Sequence, residues 1–309
     1  MDCILSALIC THNRADYLRQ AIESLQQQQM AQDQYEIIVV DNGSTDSTRQ
    51  VVGKFSRIPN LFYLYEPRLG LAYARNTAWQ NARGAYVAYL DDDALAYPDW
   101  LSKTVEAFNR QPRPGCVGGR TDPLWEATRP AWLSDQLAAG LAVVDWSNTP
   151  HYLHDLSKEW LVGANLAFPV EVLRDIGGFV EGLDRTGKNL LSGGDVFIEK
   201  QIVKAGYDCL YYPAMRVQHH IQSSRLEQRW FLRRYYWQGI SDAFMHIVET
   251  RPNRRARWRL AIQKAARLFS SPTKIKQLFV ATDDPVRFTD RCFTLIELGQ
   301  VRGLLTIKA

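Results

Sequence analysis

The sequence predicts an α/β protein with a mostly parallel sheet, helices on both faces of the sheet and a helical C-terminal extension. Three observations lead to this fold class. Apolar runs alternate with helical patterns from Cys3 to Asn109, short polar residues collect after those runs, and the chain beyond Arg225 is basic, aromatic-rich and helical in its spacing. Strand and helix alternating in this way are typical of parallel sheets covered on both faces.

Four strands are predicted in the first part of the chain, and a helix follows each of them. Their apolar runs are continuous, which indicates burial on both faces of the sheet. The predicted strands are Cys3–Cys10, Tyr35–Asp41, Leu61–Glu66 and Ala85–Leu90. The predicted helices run from a cap at Asp16 to about Gln28, from Thr45 or Ser47 to Phe55, from Leu71 to Ala82, and from Trp100 to Asn109.

The next part of the chain is less regular. Prolines and tryptophans punctuate the segment from Asp122 to Trp160, and a loop of this length is usually functional or mobile. Order resumes at WLVGANLAF, and the later predicted elements are helix Val170–Ile176, a glycine-rich loop to Gly194, helix Asp195–Ala205, and strands around Cys209–Tyr212 and Met215–His219.

Composition limits the class of protein. The 309 residues are 46% hydrophobic and 23% charged, which suits one large globular domain. The five cysteines are scattered and form no CxxC pair, so we expect a reducing compartment and no structural zinc. The apolar N-terminus carries Asp2 and lacks a basic start, which favours a buried strand over a signal peptide. Because no window reaches about 18 consecutive apolar residues, we expect no membrane-spanning helix. The expected location is cytoplasmic, with peripheral contact at the inner face of the membrane left open.

Three adjacent carboxylates, Asp91, Asp92 and Asp93, follow the fourth predicted strand. They repel one another unless a cation lies beside them, and hard oxygen ligands select Mg²⁺ or Mn²⁺. A solvated acidic turn is the alternative, but the carboxyl ends of parallel strands are where such sheets bind ligands. The chain has neither GxGxxG after the first strand nor GxxxxGK[ST], so we expect a metal rather than a glycine-rich loop to hold phosphates.

The chain also resembles a known family, in five blocks that occur in this order: LICTHNRADYLRQAIESL, YEIIVVDNGSTDST, EPRLGLAYARNTAWQNARGAYVAYLDDD, VGANLAF and GGFVEGL…SGGDVFIEKQIVKAGYDCLYYPAMRVQHH. These blocks resemble the family 2 glycosyltransferases over about residues 3–240. The resemblance implies the GT-A fold and an inverting, metal-assisted transfer of a sugar from a nucleotide diphosphate.

The resemblance implies a set of residues for the sugar nucleotide: Thr11, Asn13, Arg14, Asp41, Arg75, Asn76, Asp91 and Asp92. Within that set, Asp41 corresponds to the carboxylate that pairs with the uracil edge, which favours uridine or thymidine over purines. Asp93 corresponds to a metal ligand, and His219 to the histidine that completes the metal site. For Arg75 a surface helical arginine, and for His219 a structural histidine, remain the alternatives.

Asp195 corresponds to the catalytic base, which takes the proton of an acceptor hydroxyl. An N-cap role is the alternative, since Asp195 opens a predicted helix. Many relatives have Glu-Asp where this chain has Gly194-Asp195, so any acceptor contact of that glutamate is missing here. Trp160, Asn165 and Phe179 correspond to acceptor-side positions, with core packing as the alternative for Phe179.

The C-terminal stretch from Arg225 to Lys276 has 13 Lys/Arg and 3 Asp/Glu, while the whole chain has a net charge of +4. Residues of the stretch RRARWRLAIQKAARLF form a predicted basic amphipathic helix. Three interpretations of this helix are open, in order of preference: a packing helix with a solvated basic face, a segment lying on an anionic membrane, and a nucleic-acid binder.

We therefore expect a glycosyltransferase domain over residues 1–225, with a nucleotide-sugar half at 1–120, an acceptor half at 121–225 and a basic helical extension at 226–309. The expected reaction moves a hexose from a UDP-sugar to a hydroxyl of a glycan or lipid-linked glycan, as in bacterial polysaccharide synthesis, with no nucleic-acid partner. A sugar nucleotidyltransferase and a non-catalytic sugar- or nucleotide-binding protein of the same fold are the alternatives.

Overall fold

The computed structural model describes residues 3–183 and 189–307, and these form eleven strands and eleven α-helices. The strands are β1 (Leu5–Thr11), β2 (Tyr35–Asp41), β3 (Leu61–Tyr65), β4 (Tyr86–Leu90), β5 (Ala94–Ala96), β6 (Cys116–Gly118), β7 (Thr121–Trp125), β8 (His151–Tyr152), β9 (Asn165–Pro169), β10 (Cys209–Tyr211) and β11 (Val217–Ile221). The helices are α1 (Ala15–Gln26), α2 (Thr48–Gly53), α3 (Leu71–Gln80), α4 (Trp100–Phe108), α5 (Asp135–Ala138), α6 (Val170–Ile176), α7 (Gly194–Lys204), α8 (Gln228–Thr250), α9 (Arg254–Phe269), α10 (Pro272–Phe279) and α11 (Pro285–Thr306).

Eight strands form the central sheet, in the order β3-β2-β1-β4-β9-β6-β10-β8. The four strands predicted first are parallel neighbours, and β9 lies antiparallel between β4 and β6. A second sheet joins β5, β11 and β7. The predicted α/β class, with helices flanking a large sheet and a helical C-terminal part, is confirmed.

Both faces of the central sheet are buried, which explains the continuous apolar runs. Successive side chains of a strand point to opposite faces. In β2, for example, Ile37 and Val39 enter one core cluster with α1 and α4, whereas Ile38 and Val40 enter another with α3, α6 and α7.

One carboxylate caps the first two helices, and it is not the predicted Asp16, which lies within the first turn of α1. Asp46 Oδ2 accepts a hydrogen bond from Ala15 N at 3.2 Å, and Asp46 Oδ1 accepts from Thr48 N at 3.0 Å. Of the two caps predicted for α2, Ser47 lies at the N-cap, but its side chain makes no capping hydrogen bond, so Asp46 serves the starts of both helices.

The chain divides into two compact units. The first comprises Met1–Leu124, Ala142–Gly182 and Gly194–His220, and the second comprises Trp125–Leu141, Leu183–Gly193 and Ile221–Ala309. The sequence predicts one boundary near residue 225, whereas the second unit also includes two earlier segments, because they pack on its helices. The Trp132 ring, for instance, meets the rings of Phe231 and Phe288 edge-on, at centroid distances of 5.2 and 4.8 Å.

Helices α8 and α11 of the second unit pack closely where glycines face each other's backbone. A Cβ atom on Gly239 would lie 2.0 Å from Ile296 O, and one on Gly299 would lie 2.1 Å from Tyr236 O. Helix α9 adds Ala261 and Leu260 to a cluster that includes Leu304 of α11. Among the helices in the described ranges, none combines the length and apolarity needed to cross a lipid bilayer.

Candidate active site

Two carboxylates and an imidazole meet beyond the end of β4. Antiparallel pairing of β5 with β11 places His219 opposite Ala94, next to Asp93. One ligand atom from each of Asp91, Asp93 and His219 lies within 4.8 Å of the others, and His219 Nε2 is 3.2 Å from Asp93 Oδ1. Ligands bonded to one ion at about 2.1 Å are at most about 4.2 Å apart, so small side-chain rotations would bring all three onto one divalent cation. The oxygen-rich donor set fits Mn²⁺ or Mg²⁺.

Asp92 is held by the last residue of β1 and by the loop after it rather than by the Asp91–Asp93–His219 group. Its Oδ2 accepts from Thr11 Oγ1 at 2.8 Å, and its Oδ1 accepts from Arg14 Nη1 at 2.9 Å. The same Arg14 nitrogen is 2.6 Å from Asp93 Oδ2. Burial raises the pKa of Asp92 above its usual range, and the Arg14 charge opposes that rise. Arg14 is thus the cation that offsets repulsion within the acidic cluster.

The loops after β1 and β2 are tied together at the same sheet edge. Asn13 has a left-handed backbone, with φ of 54°, and its Oδ1 accepts from Thr45 N at 2.7 Å. The buried Asp41 accepts from Ser44 N and from Tyr63 Oη, each at 2.8 Å. Burial and the bond to Asp41 raise the pKa of Tyr63 to about 12. These bonds orient Asp41 and fix the loops that the resemblance assigns to the nucleotide.

A buried arginine of α3 faces two of the predicted functional carboxylates. Arg75 Nη2 is 3.6 Å from Asp91 Oδ1, and its guanidinium lies over the Phe179 ring, 5.2 Å from the centroid. Burial lowers the pKa of Arg75, but the surrounding acidic groups, foremost the Asp91 and Asp195 carboxylates, together raise the pKa above its usual value. Asp195 lies in the first turn of α7 and its Oδ2 accepts from Gly163 N at 3.1 Å. Arg75 therefore links the Asp91–Asp93–His219 group to Asp195 electrostatically.

The family assignment rests on a sequence comparison. The model of "Glycosyl transferase family 2" matches residues 6–168, more than half of the chain. The chain belongs to glycosyl transferase family 2. The resemblance read from the sequence blocks is confirmed, and this family 2 enzyme is a glycosyltransferase rather than a sugar nucleotidyltransferase.

Known proteins with similar sequences and folds are glycosyltransferases. This family 2 enzyme is 25% identical over 248 residues to "Glucosyl-dolichyl phosphate glucuronosyltransferase" of Haloferax volcanii, covering 79% of this chain and 78% of that protein. A mannosyltransferase from Pyrobaculum calidifontis, PcManGT, solved with GDP-Man and Mn²⁺, superposes with a TM-score of 0.63 at 21% identity, over 98% of this chain and 88% of that one. GalNAc-T7, solved with UDP, GalNAc and Mn²⁺, gives a TM-score of 0.56 at 17% identity, over 78% and 51% of the two chains. At these identities the structural likeness shows the shared GT-A fold.

Three residues predicted for the ligands have partners within the glycosyltransferase. Asn76 exchanges hydrogen bonds with the Phe179 backbone, at 2.8 Å to its oxygen and 2.9 Å from its nitrogen. Asn165 is fully buried; its Oδ1 accepts from Trp100 Nε1 and its Nδ2 donates to backbone oxygens, including Met215 O. Phe179 is buried in the core under Arg75. Asn165 and Phe179 are buried and Asn76 is half-buried, so these contacts support structural roles, and the predicted ligand contacts of the three residues stay predictions.

Trp160 lies at the border of this buried region. It is half-buried, its ring meets that of Trp146 edge-on at a centroid distance of 5.0 Å, and its carbonyl oxygen accepts from Trp146 Nε1 at 2.8 Å. Of the three predicted acceptor-side residues, Trp160 is the one that is only half-buried.

Two residues of the site were not singled out from the sequence. Glu199, one helical turn after Asp195, is fully buried and its Oε2 accepts from Leu161 N at 3.1 Å. Asp195 and Glu199 thus bind the backbone of one short segment, at Gly163 and Leu161. An acidic residue on the apolar side of α7, beside Ile198, was the available signal for Glu199. Gly163 stood in the VGANLAF block, but its closeness to Arg75 depends on tertiary structure.

Proposed function

We propose that this glycosyltransferase transfers a hexose from a UDP-sugar to a hydroxyl of a glycan or lipid-linked glycan, with inversion at the anomeric carbon. Asp91, Asp93 and His219 would hold Mn²⁺ or Mg²⁺, and Asp195 would act as the general base. The observation that carries this proposal is the placement of Arg75, which faces Asp91 on the metal side and Asp195 on the base side.

The hydrogen bonds of Asp195 support its proposed role as general base. The Gly163 amide fixes one carboxylate oxygen, and Val196 N donates to the other at 3.0 Å, so the group is oriented before the acceptor arrives. As the acceptor oxygen bonds to the anomeric carbon, its proton passes to Asp195, and the bond from that carbon to the diphosphate oxygen breaks on the opposite face. One displacement of this kind gives inversion.

The Asp91–Asp93–His219 group and Asp41 support a nucleotide diphosphate as the donor. A divalent cation, when bound at the Asp91–Asp93–His219 group, neutralises charge on the departing diphosphate. The oriented Asp41 carboxylate offers an acceptor for the imide N–H of uracil. Both solved relatives named above contain a nucleotide or sugar nucleotide with Mn²⁺, one with GDP-Man and one with UDP.

A lipid-linked acceptor is supported by the name of the Haloferax volcanii relative, which acts on a glucosyl-dolichyl phosphate. We also propose that the enzyme works in the cytoplasm, at the inner face of the membrane. Its five free cysteines support a reducing compartment.

The proposal is tested by measuring nucleotide release from a panel of UDP-, dTDP- and GDP-sugars, with Mn²⁺, with Mg²⁺ and with chelator. We expect metal-dependent UDP release that rises when a glycan or polyprenyl-phosphate glycan is added, and a product one hexose heavier by mass. Stronger release from GDP-sugars would overturn the uridine assignment, and UDP binding without release under any condition would favour a non-catalytic binding protein.

The role of Asp195 is tested separately with Asp195→Asn. The amide oxygen still accepts from Gly163 N, whereas the side chain no longer takes up a proton, so we expect UDP binding unchanged and turnover reduced on the order of 10²–10⁴-fold. Calorimetry with UDP and Mn²⁺ measures binding, and the release assay measures turnover. Near-normal turnover would remove Asp195 from the mechanism.

A further inference from the structure

Helix α9 presents large apolar side chains to solvent on one side. Trp258, Ile262 and Phe269 follow a spacing of four and then seven residues, which places them along one stripe of a helix. Their residues are 47%, 61% and 65% exposed. Phe279, the last residue of α10, is 83% exposed. Exposed aromatic and aliphatic groups in a row on one helix are unusual for a surface that faces only water.

An adjacent side of α9 anchors the helix, so the exposed side chains are not needed to hold it in place. Leu268 is fully buried and Ala261 is nearly so. Arg257 donates to the backbone oxygens of Leu304, at 3.0 Å, and of Ile307. Since these contacts fix α9 within the second unit, the stripe at Trp258 is left outside.

The charge around this stripe has one sign. From Arg254 to Lys276 the chain contains eight basic residues and no acidic residue. Three of the eight make internal contacts: Arg257 as above, Lys264 with Gln300 and Lys274 with Glu297. The side chains of the other five lie in exposed positions, namely Arg254, Arg255, Arg259, Arg267 and Lys276.

We propose that the α9 outer face, formed by Trp258, Ile262, Phe269, Arg254, Arg255 and Arg259, docks on the surface of an anionic lipid bilayer. Guanidinium groups bind lipid phosphates, and the apolar stripe enters the boundary between headgroups and acyl chains. A nucleic acid would satisfy the charges but would leave Ile262 and Phe269 in water. Charge and apolarity on one face therefore match a membrane surface better than a polyanion in solution.

The test is flotation of the full chain with vesicles of phosphatidylcholine alone or with phosphatidylglycerol, without any sugar nucleotide. We expect binding to the anionic vesicles at low salt and release at high salt, because charge attraction is screened within about 8 Å at physiological salt. Because neither donor nor acceptor is present, failure here would be distinct from failure of the proposed transfer reaction.

Two variants separate the contribution of the basic side chains from that of the apolar stripe. Arg254→Gln/Arg255→Gln/Arg259→Gln should weaken anionic-vesicle binding about a hundredfold, at about fivefold per basic side chain. Trp258→Ser/Ile262→Ser/Phe269→Ser should weaken binding at least about tenfold even at low salt. Unchanged thermal unfolding shows that each variant is folded.

Matched controls come from the first unit. Arg49→Gln/Lys54→Gln/Arg57→Gln removes three exposed charges, and Val203→Ser removes an apolar residue that is 47% exposed, as Trp258 is. Both controls should bind as the wild type does. The proposal is overturned if the wild type stays unbound at low salt, or if the α9 variants float as well as the controls. It is also overturned if a DNA duplex binds more tightly than the vesicles, or if the serine variant converts a dimer to a monomer without changing flotation.

Discussion

A single added methyl group at Gly163 should disturb the active site through Arg75. A Cβ atom at this position would lie 2.3 Å from Arg75 Nη2 and 3.2 Å from its Cζ. Non-bonded heavy atoms pack best at roughly 3.5 Å or more, so the guanidinium must move by about 1 Å. Arg75 is only 6% exposed and lies over the Phe179 ring, so it has little free space to move into.

We expect Gly163→Ala to lower the free energy of unfolding by about 1–3 kcal/mol, as overpacking of a filled site does. Displacing Arg75 from Asp91 by about 1 Å should lower kcat/KM on the order of 10²-fold. The Gly163 N–H that binds Asp195 is retained in the variant, so the loss would report on Arg75 rather than on that hydrogen bond.

The assays are urea unfolding and the nucleotide-release reaction. Gly53→Ala is the control, because a Cβ there meets no atom within 4 Å and the site ends α2. That control should be neutral or stabilising by about 0.5–1 kcal/mol. In an Arg75→Ala background, Gly163→Ala should add little, since the crowded partner is gone. Wild-type stability and kcat/KM in Gly163→Ala would refute the reasoning.

Three further perturbations have defined outcomes. Burial raises the pKa of Glu199 well above its usual range. The folded protein therefore binds that proton more tightly than the unfolded chain does, and it loses stability as the pH rises above about 4.3. Glu199→Gln should become more stable relative to wild type from about pH 5 to about pH 8 in urea unfolding, and parallel pH curves would contradict this. Arg14→Gln removes the cation shared by Asp92 and Asp93, and it should lower the free energy of unfolding in chelator by about 1–3 kcal/mol. Scanning fluorimetry should show that Mn²⁺ stabilises this variant more than it stabilises the wild type, and equal shifts would argue against a shared site. Gly239→Ala would place a Cβ 2.0 Å from a carbonyl oxygen of α11 and should cost about 1–3 kcal/mol in urea unfolding; wild-type stability would show that the two helices can separate.

The sequence predicts the parallel part of the sheet well because that part depends on local pattern. β2 has its predicted bounds, Tyr35–Asp41, and α6 its predicted bounds, Val170–Ile176. The starts of α3 and α4, Leu71 and Trp100, were also predicted correctly, but the residue that caps α1 was not. Asp46 caps α1 through tertiary contact with Ala15, 31 residues earlier, and a sequence window around α1 contains no sign of it.

The candidate site was also predicted only in part. Position at strand ends predicts where the polar residues gather, and the family blocks predict which carboxylates are involved. The sequence pattern does not predict the hydrogen-bond partners of a polar side chain within the folded protein. Asn76 and Asn165, for example, bond to backbone and indole groups that lie far away in sequence. Arg14 was expected at the nucleotide, and its contacts to both Asp92 and Asp93 depend on the meeting of two distant loops.

The discontinuous second unit has a consequence for biosynthesis. Ser134 hydrogen-bonds Thr289 of α11, 155 residues later in the chain, and Trp132 packs against Phe288 of α11. These early segments leave the ribosome well before α11 is made, so their apolar groups stay uncovered while the rest of the chain is translated. A chain that ends near residue 225 would lack the helices that cover Trp132, so this side chain would stay uncovered. We expect cellular proteases to degrade such fragments.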